Sequence, residues 1–379
     1  MKRIFIIAGE ASGDVLGYRL MTALHQLNPK IEFTGIGGAR MTDAGLESIF
    51  PMQELAVMGL AEILPRLLAL NRRLNQTIAA IKAQSPDLLL TIDSPGFCLR
   101  ILNALRRDEK IKKIHYVAPQ VWAWRQERVK KFPGLWDELL CLLPFEPAFF
   151  APHNLHAHFV GHPVLESGAG RGDAEKFRTT HNIPETATPI VLMPGSRVTE
   201  ISRLLPIFRA TLERLQPKIP NLVPVVAAAP FIAGAVIAKT QNWPQKPIIV
   251  QTISDRYDAF AAARAALTKS GTSTLELAMA GIPMAVTYRV NPISAAIGRR
   301  LIKVTHVAMI NLLSPTPIVP ELLQENATPE KLAATLETLL TNQAAADAQR
   351  HGFSAALATL RPPTGTPSAA AASAISKWL

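Results

Sequence analysis

Residues 4–16 (IFIIAGEASGDVL) constrain the fold more than any other stretch of the sequence. Residues 4–8 form a continuous apolar run, which is typical of a strand buried on both faces. Residues 9–14 then bring two glycines and small polar side chains, and from Val15 the apolar residues recur at helical spacing. A strand, a tight turn and a helix in this order begin an open α/β domain, whose ligands bind at the carboxyl ends of the strands.

The same alternation of apolar strands and helical segments continues through two halves of the chain. Its 379 residues are enough for two domains, and a hydrophobic fraction of 48% allows each a substantial core. Residues 166–172 (ESGAGRG) are rich in glycine and small side chains, which indicates a linker. The sequence therefore predicts an α/β protein with two Rossmann-like domains, residues 1–165 and 166–345, facing a central cleft. An alanine-rich helical tail, residues 346–379, could return to the first domain.

Charge and cysteine content narrow the classes of function. Lys and Arg number 40 against 29 Asp and Glu, and the net charge of +11 favours nucleotides, nucleic acid or an anionic membrane as partners. Cys98 and Cys141 belong to no Cys-x-x-Cys or Cys/His pattern, so we expect reduced, buried thiols in a cytosolic protein. No apolar run approaches the roughly 20 residues that cross a bilayer, and residues 4–8 are too short for a signal peptide. The dinucleotide, P-loop and nucleophile-elbow motifs are absent from the sequence.

Residues 194–197 (PGSR) follow a predicted strand and precede a predicted helix in the second half. The backbone N–H groups at Gly195 and Ser196 could hold a phosphate, which Arg197 could bind bidentately. A helix cap, with Ser196 as the capping residue, is an equally good interpretation of this motif.

Residues 270–276 (SGTSTLE) form a second turn of this kind. Gly271 provides flexibility, Thr272 and Ser273 provide hydroxyls, and Glu276 lies one helical turn further on. Glu276 could bind a ribose diol, or it could complete a capping box with Ser273. Two turns suited to phosphate at strand ends of one sheet favour the nucleotide interpretation.

Asp93 ends a predicted strand in the first half, at the same sheet edge as residues 9–14. A carboxylate there could act as a general base, although an Asx turn is the more frequent role of such a residue. Four nearby histidines, His153, His156, His158 and His162, have spacings that match no familiar zinc pattern, so we predict no metal site.

Residues 52–74 combine apolar side chains with Arg66, Arg72 and Arg73. That combination suits a helix lying in a membrane interface, although a core helix with a basic outer face is favoured by the pattern alone. The segment could form one long helix, or two helices that are divided at Pro65. The apolar members of the candidate membrane patch are Val57, Met58, Leu60, Ile63, Leu64, Leu67 and Leu68.

A series of short motifs, in order over about residues 1–340, resembles the lipid A disaccharide synthase family. The motifs are GEASGD (9–14), ELAVMG (54–59), IDSP (92–95), HYVAP (115–119), VWAWR (121–125), LPFE (143–146), GH (161–162), PGSR (194–197), SGT (270–272), LE (275–276), NLL (311–313) and ELLQ (321–324). The resemblance implies a GT-B glycosyltransferase that needs no metal or other cofactor. Its reaction would join UDP-2,3-diacylglucosamine to 2,3-diacylglucosamine 1-phosphate with inversion, giving the β-1,6-linked disaccharide 1-phosphate and UDP.

The resemblance also assigns roles to residues of this sequence. In the first domain Ser12, Gly13 and Asp14 would lie on the acceptor side, and Asp93 or Glu10 would take the proton of the acceptor's 6-hydroxyl. The set implied for the UDP donor is Gly195, Ser196, Arg197, Gly271, Thr272, Ser273, Glu276, Asn311 and Gln324.

One loop departs from the family. The family usually has Asp-x-Pro-Asp-Phe-Asn, whereas this chain has Gly96 and Cys98 in place of the second Asp and the Asn. Either Asp93 or Glu10 is therefore the base, or activity is impaired, or the missing Asp was never the base.

The acylated substrates imply partners and a location. They favour the membrane interpretation of residues 52–74 over the core helix, with the protein peripheral on the cytoplasmic face of the inner membrane and bound to anionic lipid. A homodimer could arise if the tail is exchanged between chains. Nucleic acid is not an expected partner. Two alternatives are another UDP-sugar enzyme of this fold, such as an epimerase, and a basic non-catalytic protein that binds membrane or nucleic acid.

Overall fold

The structure is a computed structural model that describes residues 2–55 and 60–379, without the side chains of residues 60–67, 292–294 and 297. The chain divides into two compact units. Unit 1 comprises Met1–Pro163 together with Leu360–Leu379, and unit 2 comprises Val164–Thr359. The chain therefore passes from unit 1 to unit 2 and back again, and unit 1 is assembled from two separate stretches of sequence.

Unit 1 is a seven-stranded sheet with the strand order β3-β2-β1-β4-β5-β6-β7, in which all neighbours pair in parallel. In chain order its elements are β1 (Lys2–Ala8), α1 (Ala11–Leu27), β2 (Ile31–Ile36), α2 (Ala39–Asp43), β3 (Glu47–Ser48), α3 (Leu60–Gln84), β4 (Leu88–Ile92), α4 (Pro95–Ala104), β5 (Lys112–Tyr116), β6 (Glu138–Cys141), α5 (Glu146–Phe150) and β7 (Ala157–Phe159). The central strands β1 and β4 are apolar over most of their length, as is typical of strands that helices cover on both faces of a parallel sheet. Ile4 to Ala8 and Leu88 to Leu90 accordingly have no exposed surface.

Unit 2 repeats this architecture with six parallel strands in the order β10-β9-β8-β11-β12-β13. Its elements are α6 (Ala174–Thr180), β8 (Thr188–Met193), α7 (Val198–Leu215), β9 (Leu222–Ala227), α8 (Pro230–Thr240), β10 (Ile248–Val250), α9 (Ile253–Ala262), β11 (Ala265–Lys269), α10 (Ser273–Met279), β12 (Met284–Tyr288), α11 (Pro292–Leu301), α12 (Met309–Leu312), β13 (Glu321–Leu323), α13 (Pro329–Thr341) and α14 (Gln343–Ala358). The predicted α/β class with two Rossmann-like domains is confirmed.

The segment predicted as a helical tail is divided between the units. Within unit 2, α14 follows α13, and its buried Gln349 bonds to the backbone N–H and C=O of Met284 at 2.8 and 3.2 Å. A final helix, α15 (Pro367–Ser376), belongs to unit 1 and packs against α1. Ala371, Ala372 and Ile375 of this helix are fully buried in the core of unit 1.

Of the two alternatives for this segment, the structure has a single helix across Pro65. The helix α3 runs from Leu60 to Gln84 without interruption, and residues 78–83, which have a helical pattern of their own, are part of it. Pro65 lies in the second turn of the helix, where its missing N–H costs a single intrahelical hydrogen bond.

Candidate active site

At the carboxyl edge of unit 1, the turns after β1 and β4 are in contact. The two strands are neighbours, with Ala8 paired to Ile92, so the residues that follow them must also lie side by side. Gly9 meets Ser94 here, and a Cβ atom at position 9 would overlap the Ser94 hydroxyl. The glycine that interrupts the first apolar run is therefore needed for the close approach of two loops.

Backbone strain is concentrated at this same edge. Asp93, Ser94 and Val117 all have positive φ values, of 48°, 45° and 79°. They follow β4 and β5, which are neighbours, and such conformations cost about 1–3 kcal/mol each unless the surrounding structure enforces them. The enforcing contacts include hydrogen bonds from Asp93 N to Tyr116 O at 2.9 Å and from Val117 N to Leu140 O at 3.0 Å. Strain held in this way is typical of sites that must keep a precise geometry.

Asp93 has the electrostatic surroundings of a base. Burial of its carboxyl group and the nearby negative charge of Glu10 raise the Asp93 pKa, while the Ser94 backbone N–H opposes them. A carboxylate with a raised pKa accepts a proton more readily. Glu10 is exposed and lies immediately before α1. The structure thus brings together the two carboxylates that the sequence analysis selected.

The three residues predicted on the acceptor side differ in their surroundings. Ser12 is exposed on the first turn of α1, whereas Gly13 and Asp14 are buried. The Asp14 carboxylate accepts backbone hydrogen bonds from Gly38 at 2.8 Å, Met41 at 3.0 Å and Arg40 at 3.1 Å. Asp14 therefore caps α2 and holds that helix against α1, a role that its position in the sequence did not reveal.

The two positions that depart from the family pattern also differ. Gly96 is exposed in the first turn of α4, and a Cβ atom there would meet no other heavy atom within 4 Å. Cys98 is completely buried, and burial raises the pKa of its thiol. An acidic side chain could thus be accommodated at residue 96 without repacking, whereas residue 98 is part of the core.

Glu146 is a buried polar residue that was not selected as a site residue, although it lies in the LPFE motif. Its carboxylate accepts hydrogen bonds from Trp122 Nε1 at 3.0 Å, Leu142 N at 3.0 Å and Leu143 N at 2.9 Å. Burial raises the Glu146 pKa to about 7. The residue joins the loop after β5, which holds the VWAWR motif, to the loop after β6, which holds the LPFE motif.

In unit 2, the PGSR turn follows β8 and leads into α7. The predicted cap is formed, but Arg197 is the N-cap residue and Glu200 closes it, not Ser196. Glu200 Oε2 accepts from Ser196 N at 3.0 Å and from Arg197 N at 3.3 Å, and Glu200 Oε1 lies 3.3 Å from Arg197 Nη1. The remainder of the Arg197 side chain is exposed and available to an anionic ligand.

The SGTS turn follows β11, the neighbour of β8, so the two turns predicted to bind phosphate are adjacent. Thr272 is exposed, whereas the Ser273 hydroxyl contacts Thr268 Oγ1 at 3.0 Å and the Lys269 carbonyl at 3.3 Å. Glu276 does not form the capping box with Ser273. Its Oε1 atom instead accepts from Arg256 Nη2 and from the Tyr257 hydroxyl, both at 3.0 Å. These two partners come from α9, which the sequence pattern did not connect with the turn.

The last two residues of the predicted donor set lie near β13. Asn311 is 1% exposed and all its side-chain bonds are internal: it donates to Val319 O at 2.9 Å and Glu321 Oε1 at 2.8 Å, and accepts from Ile318 N at 2.8 Å and Val319 N at 2.9 Å. Gln324 follows β13 with a φ of 51°, and its side chain accepts from Val290 N at 3.3 Å. Asn311 therefore shapes the loop, while Gln324 lies at the same sheet edge as the two turns.

Much of the candidate membrane patch lies outside the described residues. That applies to Val57 and Met58 and to the side chains of Leu60, Ile63, Leu64 and Leu67. Leu68 is described, and it is 86% exposed on α3. Arg73 is bound to Glu54 through two hydrogen bonds of 2.6 and 2.7 Å and lies over the Phe50 ring. Within residues 2–55 and 60–379, no helix has the length and apolar character that a bilayer crossing requires.

The histidines of residues 153–162 do not gather into a ligand set. Among the side chains that the structure describes, no three or more His, Cys, Asp or Glu residues converge as a metal site would require.

Comparisons with known proteins add what the geometry alone does not provide. A family model described as lipid-A-disaccharide synthetase matches residues 4–373. The lipid-A-disaccharide synthase of Gluconobacter oxydans is 58% identical over 372 residues, which cover 98% of this chain and 89% of that relative.

Two solved structures share the fold at low sequence identity. A putative UDP-N-acetylglucosamine 2-epimerase from Listeria monocytogenes is 14% identical with a TM-score of 0.61, covering 95% of each chain. The calicheamicin glycosyltransferase is 17% identical with a TM-score of 0.59, covering 100% of this chain and 98% of that one. The fold is thus common to enzymes of different activity, and the choice between them depends on sequence identity.

Proposed function

The chain belongs to the lipid-A-disaccharide synthetase family, and from this premise we propose that it joins UDP-2,3-diacylglucosamine to 2,3-diacylglucosamine 1-phosphate, releasing UDP. It is a glycosyltransferase that forms the lipid A disaccharide. The observation that carries this assignment is the 58% identity over 98% of the chain. An epimerase of the same fold, or a basic non-catalytic protein, is not favoured at that identity.

We propose that unit 2 binds the UDP donor. The adjacent turns after β8 and β11 support this assignment, because Arg197 is exposed on one and Thr272 on the other. Glu276, with its Oε1 already paired to Arg256 and Tyr257, would direct its remaining acceptor capacity to the ribose. Gln324 would contribute from the loop after β13, and Asn311 would support that loop from within.

We propose that Asp93 of unit 1 is the general base. In the reaction, the 6-hydroxyl oxygen of the acceptor attacks the anomeric carbon of the donor, its proton passes to Asp93, and the bond to UDP breaks with inversion. Glu10 would assist by raising the pKa of Asp93, and Ser12, which is exposed on the first turn of α1, would bind the acceptor sugar. Cationic side chains of unit 2 would stabilise the charge of the departing UDP.

The test is transfer by the purified full chain with both acylated substrates in detergent micelles, with and without EDTA. We expect UDP and a tetraacyl disaccharide 1-phosphate in equal amounts, unaffected by EDTA, and an inverted β linkage by NMR. Omission of the acceptor is the control, because an epimerase would change its UDP-sugar without it. Failure to release UDP in the complete mixture would refute the assignment.

We also propose that the protein acts while bound to the cytoplasmic face of the inner membrane, and that residues 57–68 dock on anionic lipid. The exposure of Leu68 and the net charge of +11 support this proposal.

We also propose a homodimer in which the two chains exchange α15. Light scattering of the purified protein would then report twice the 41.2 kDa chain mass.

Changing Leu68 to Ser should lower the fraction of protein that floats with vesicles of phosphatidylglycerol and phosphatidylethanolamine. Loss of one leucine from the apolar layer costs about 1–2 kcal/mol, or a fivefold or larger change in partitioning. Leu27→Ser, at the far end of α1 and 57% exposed, is the matched control and should float like the unaltered protein. Equal flotation of both variants would contradict the docking surface.

A further inference from the structure

The last residue of β11 is a lysine that neither the motifs nor the predicted site included. Lys269 Nζ lies 3.3 Å from Glu200 Oε1 and 5.4 Å from the centre of the Tyr288 ring. β11 lies between β8 and β12, so Lys269 is flanked by the PGSR turn on one side and by Tyr288 on the other. Its side chain is 23% exposed, so the lysine is not sealed within the core.

Glu200 contacts both of the cationic side chains at this edge. Its side chain is 7% exposed, and its two oxygens contact two backbone N–H groups, the Arg197 guanidinium and the Lys269 ammonium. Gly195, with a φ of 108°, makes room for it, because a Cβ atom there would overlap Glu200 Oε2. The carboxylate is thus fixed by packing as well as by hydrogen bonds.

This arrangement changes which groups can hold a phosphate. The N–H groups of Ser196 and Arg197 already donate to Glu200, so they are engaged within the protein. Each cation, by contrast, uses one donor on Glu200, whereas an ammonium group has three N–H donors and a guanidinium five. The three side chains together carry one net positive charge, which still attracts a diphosphate.

We propose that Lys269 binds the diphosphate of the nucleotide donor together with Arg197, and that Glu200 is a positioning residue that holds both cations at the sheet edge. The inference rests on the proposed function for the identity of the donor as a UDP-sugar. It adds a second cation to the site, and two cations neutralise the departing UDP better than Arg197 alone.

Calorimetric titration of the full chain with UDP and with uridine tests the role of Lys269. We expect Lys269→Met to weaken UDP binding about 10- to 100-fold, as for loss of a hydrogen bond to a charged group, and to change uridine binding less than threefold. Lys269→Arg should recover most of the affinity. Lys239→Met removes an exposed lysine from the end of α8 and should leave both ligands unaffected. UDP binding by Lys269→Met equal to that of Lys239→Met would overturn the proposal.

Glu200→Gln tests the positioning role. If Glu200 holds the two cations, its neutral replacement should weaken UDP binding and leave uridine binding unchanged. If Glu200 instead competed with the diphosphate, Glu200→Gln would bind UDP more tightly, and the proposal would be wrong. Circular dichroism is used to check that each variant is folded. If Lys269→Met does not fold, the comparison is made with Lys269→Arg.

The transfer assay separates this inference from the proposed function. Lys269-dependent UDP binding without formation of a disaccharide would reject the proposed reaction and retain the phosphate role of Lys269. Disaccharide formation that is unchanged by Lys269→Met would retain the proposed reaction and reject the phosphate role of Lys269.

Discussion

Asp93→Asn is expected to lower kcat by about 10²- to 10⁴-fold, the usual contribution of a general base, while the affinity for UDP stays unchanged. The variant should fold, because asparagine tolerates the left-handed conformation that position 93 adopts. Asp87→Asn is the matched control at the opposite end of β4, where the carboxylate bonds to Arg3 N at 2.8 Å, and it should keep its turnover. Retention of more than a tenth of the activity by Asp93→Asn would remove Asp93 from the mechanism.

The pH profile adds a readout that a structural role would not change. Asp93 must be deprotonated to accept a proton, and its pKa is raised by burial and by Glu10, so kcat/KM should rise with pH through that raised value. Glu10→Gln removes the neighbouring charge and lowers the Asp93 pKa, so the rise should move to lower pH while the plateau remains. If Glu10→Gln abolishes turnover and Asp93→Asn does not, Glu10 is the base.

Asn311→Ala should be the most destabilising of the single changes considered. It removes four hydrogen bonds and leaves buried partners unsatisfied, among them Glu321, whose carboxylate also accepts from Val307 N and Ala308 N. We expect a loss of about 3 kcal/mol from unit 2, measured by urea denaturation followed by circular dichroism, and weaker UDP binding because the loop before Gln324 loses its support. Asn221→Ala, at an exposed site with a single 3.4 Å side-chain bond, should stay within about 0.5 kcal/mol of the unaltered protein. A cost for Asn311→Ala no greater than that of the control would show that the loop does not depend on it.

The sequence predicts best what local patterns determine. The apolar run of residues 4–8 predicts a buried strand and Gly9 predicts a turn, because each prediction depends only on a few adjacent residues. The two turns that we propose for the donor in unit 2 could be placed at strand ends for the same reason, since each follows a strand directly. That the two turns are adjacent depends on β8 pairing with β11, a contact between residues about 75 positions apart that no local pattern specifies.

The roles of individual polar residues were harder to predict. Glu200 could have been found from its spacing after the turn, which is that of a capping box, but Lys269 carries no signal beyond its place at the end of a strand. Asp14 and Ser12 are both small polar residues of the turn after β1, and the sequence does not distinguish their surroundings. Asp14 is nevertheless buried, because α2 packs over it. Arg256 and Tyr257 reach Glu276 only through the packing of α9. The burial of a polar side chain and the identity of its hydrogen-bond partners depend on the tertiary structure, so the sequence alone could not predict them.

The path of the chain through the two units has a consequence for folding during synthesis. Unit 2 is continuous in the sequence, so it can complete its core as soon as residue 359 has left the ribosome. Unit 1 begins earlier and must wait, because the face of α1 that meets Ala371, Ala372 and Ile375 has no cover until α15 is made. During that interval an apolar surface of unit 1 is exposed, and such a surface favours aggregation or binding by chaperones.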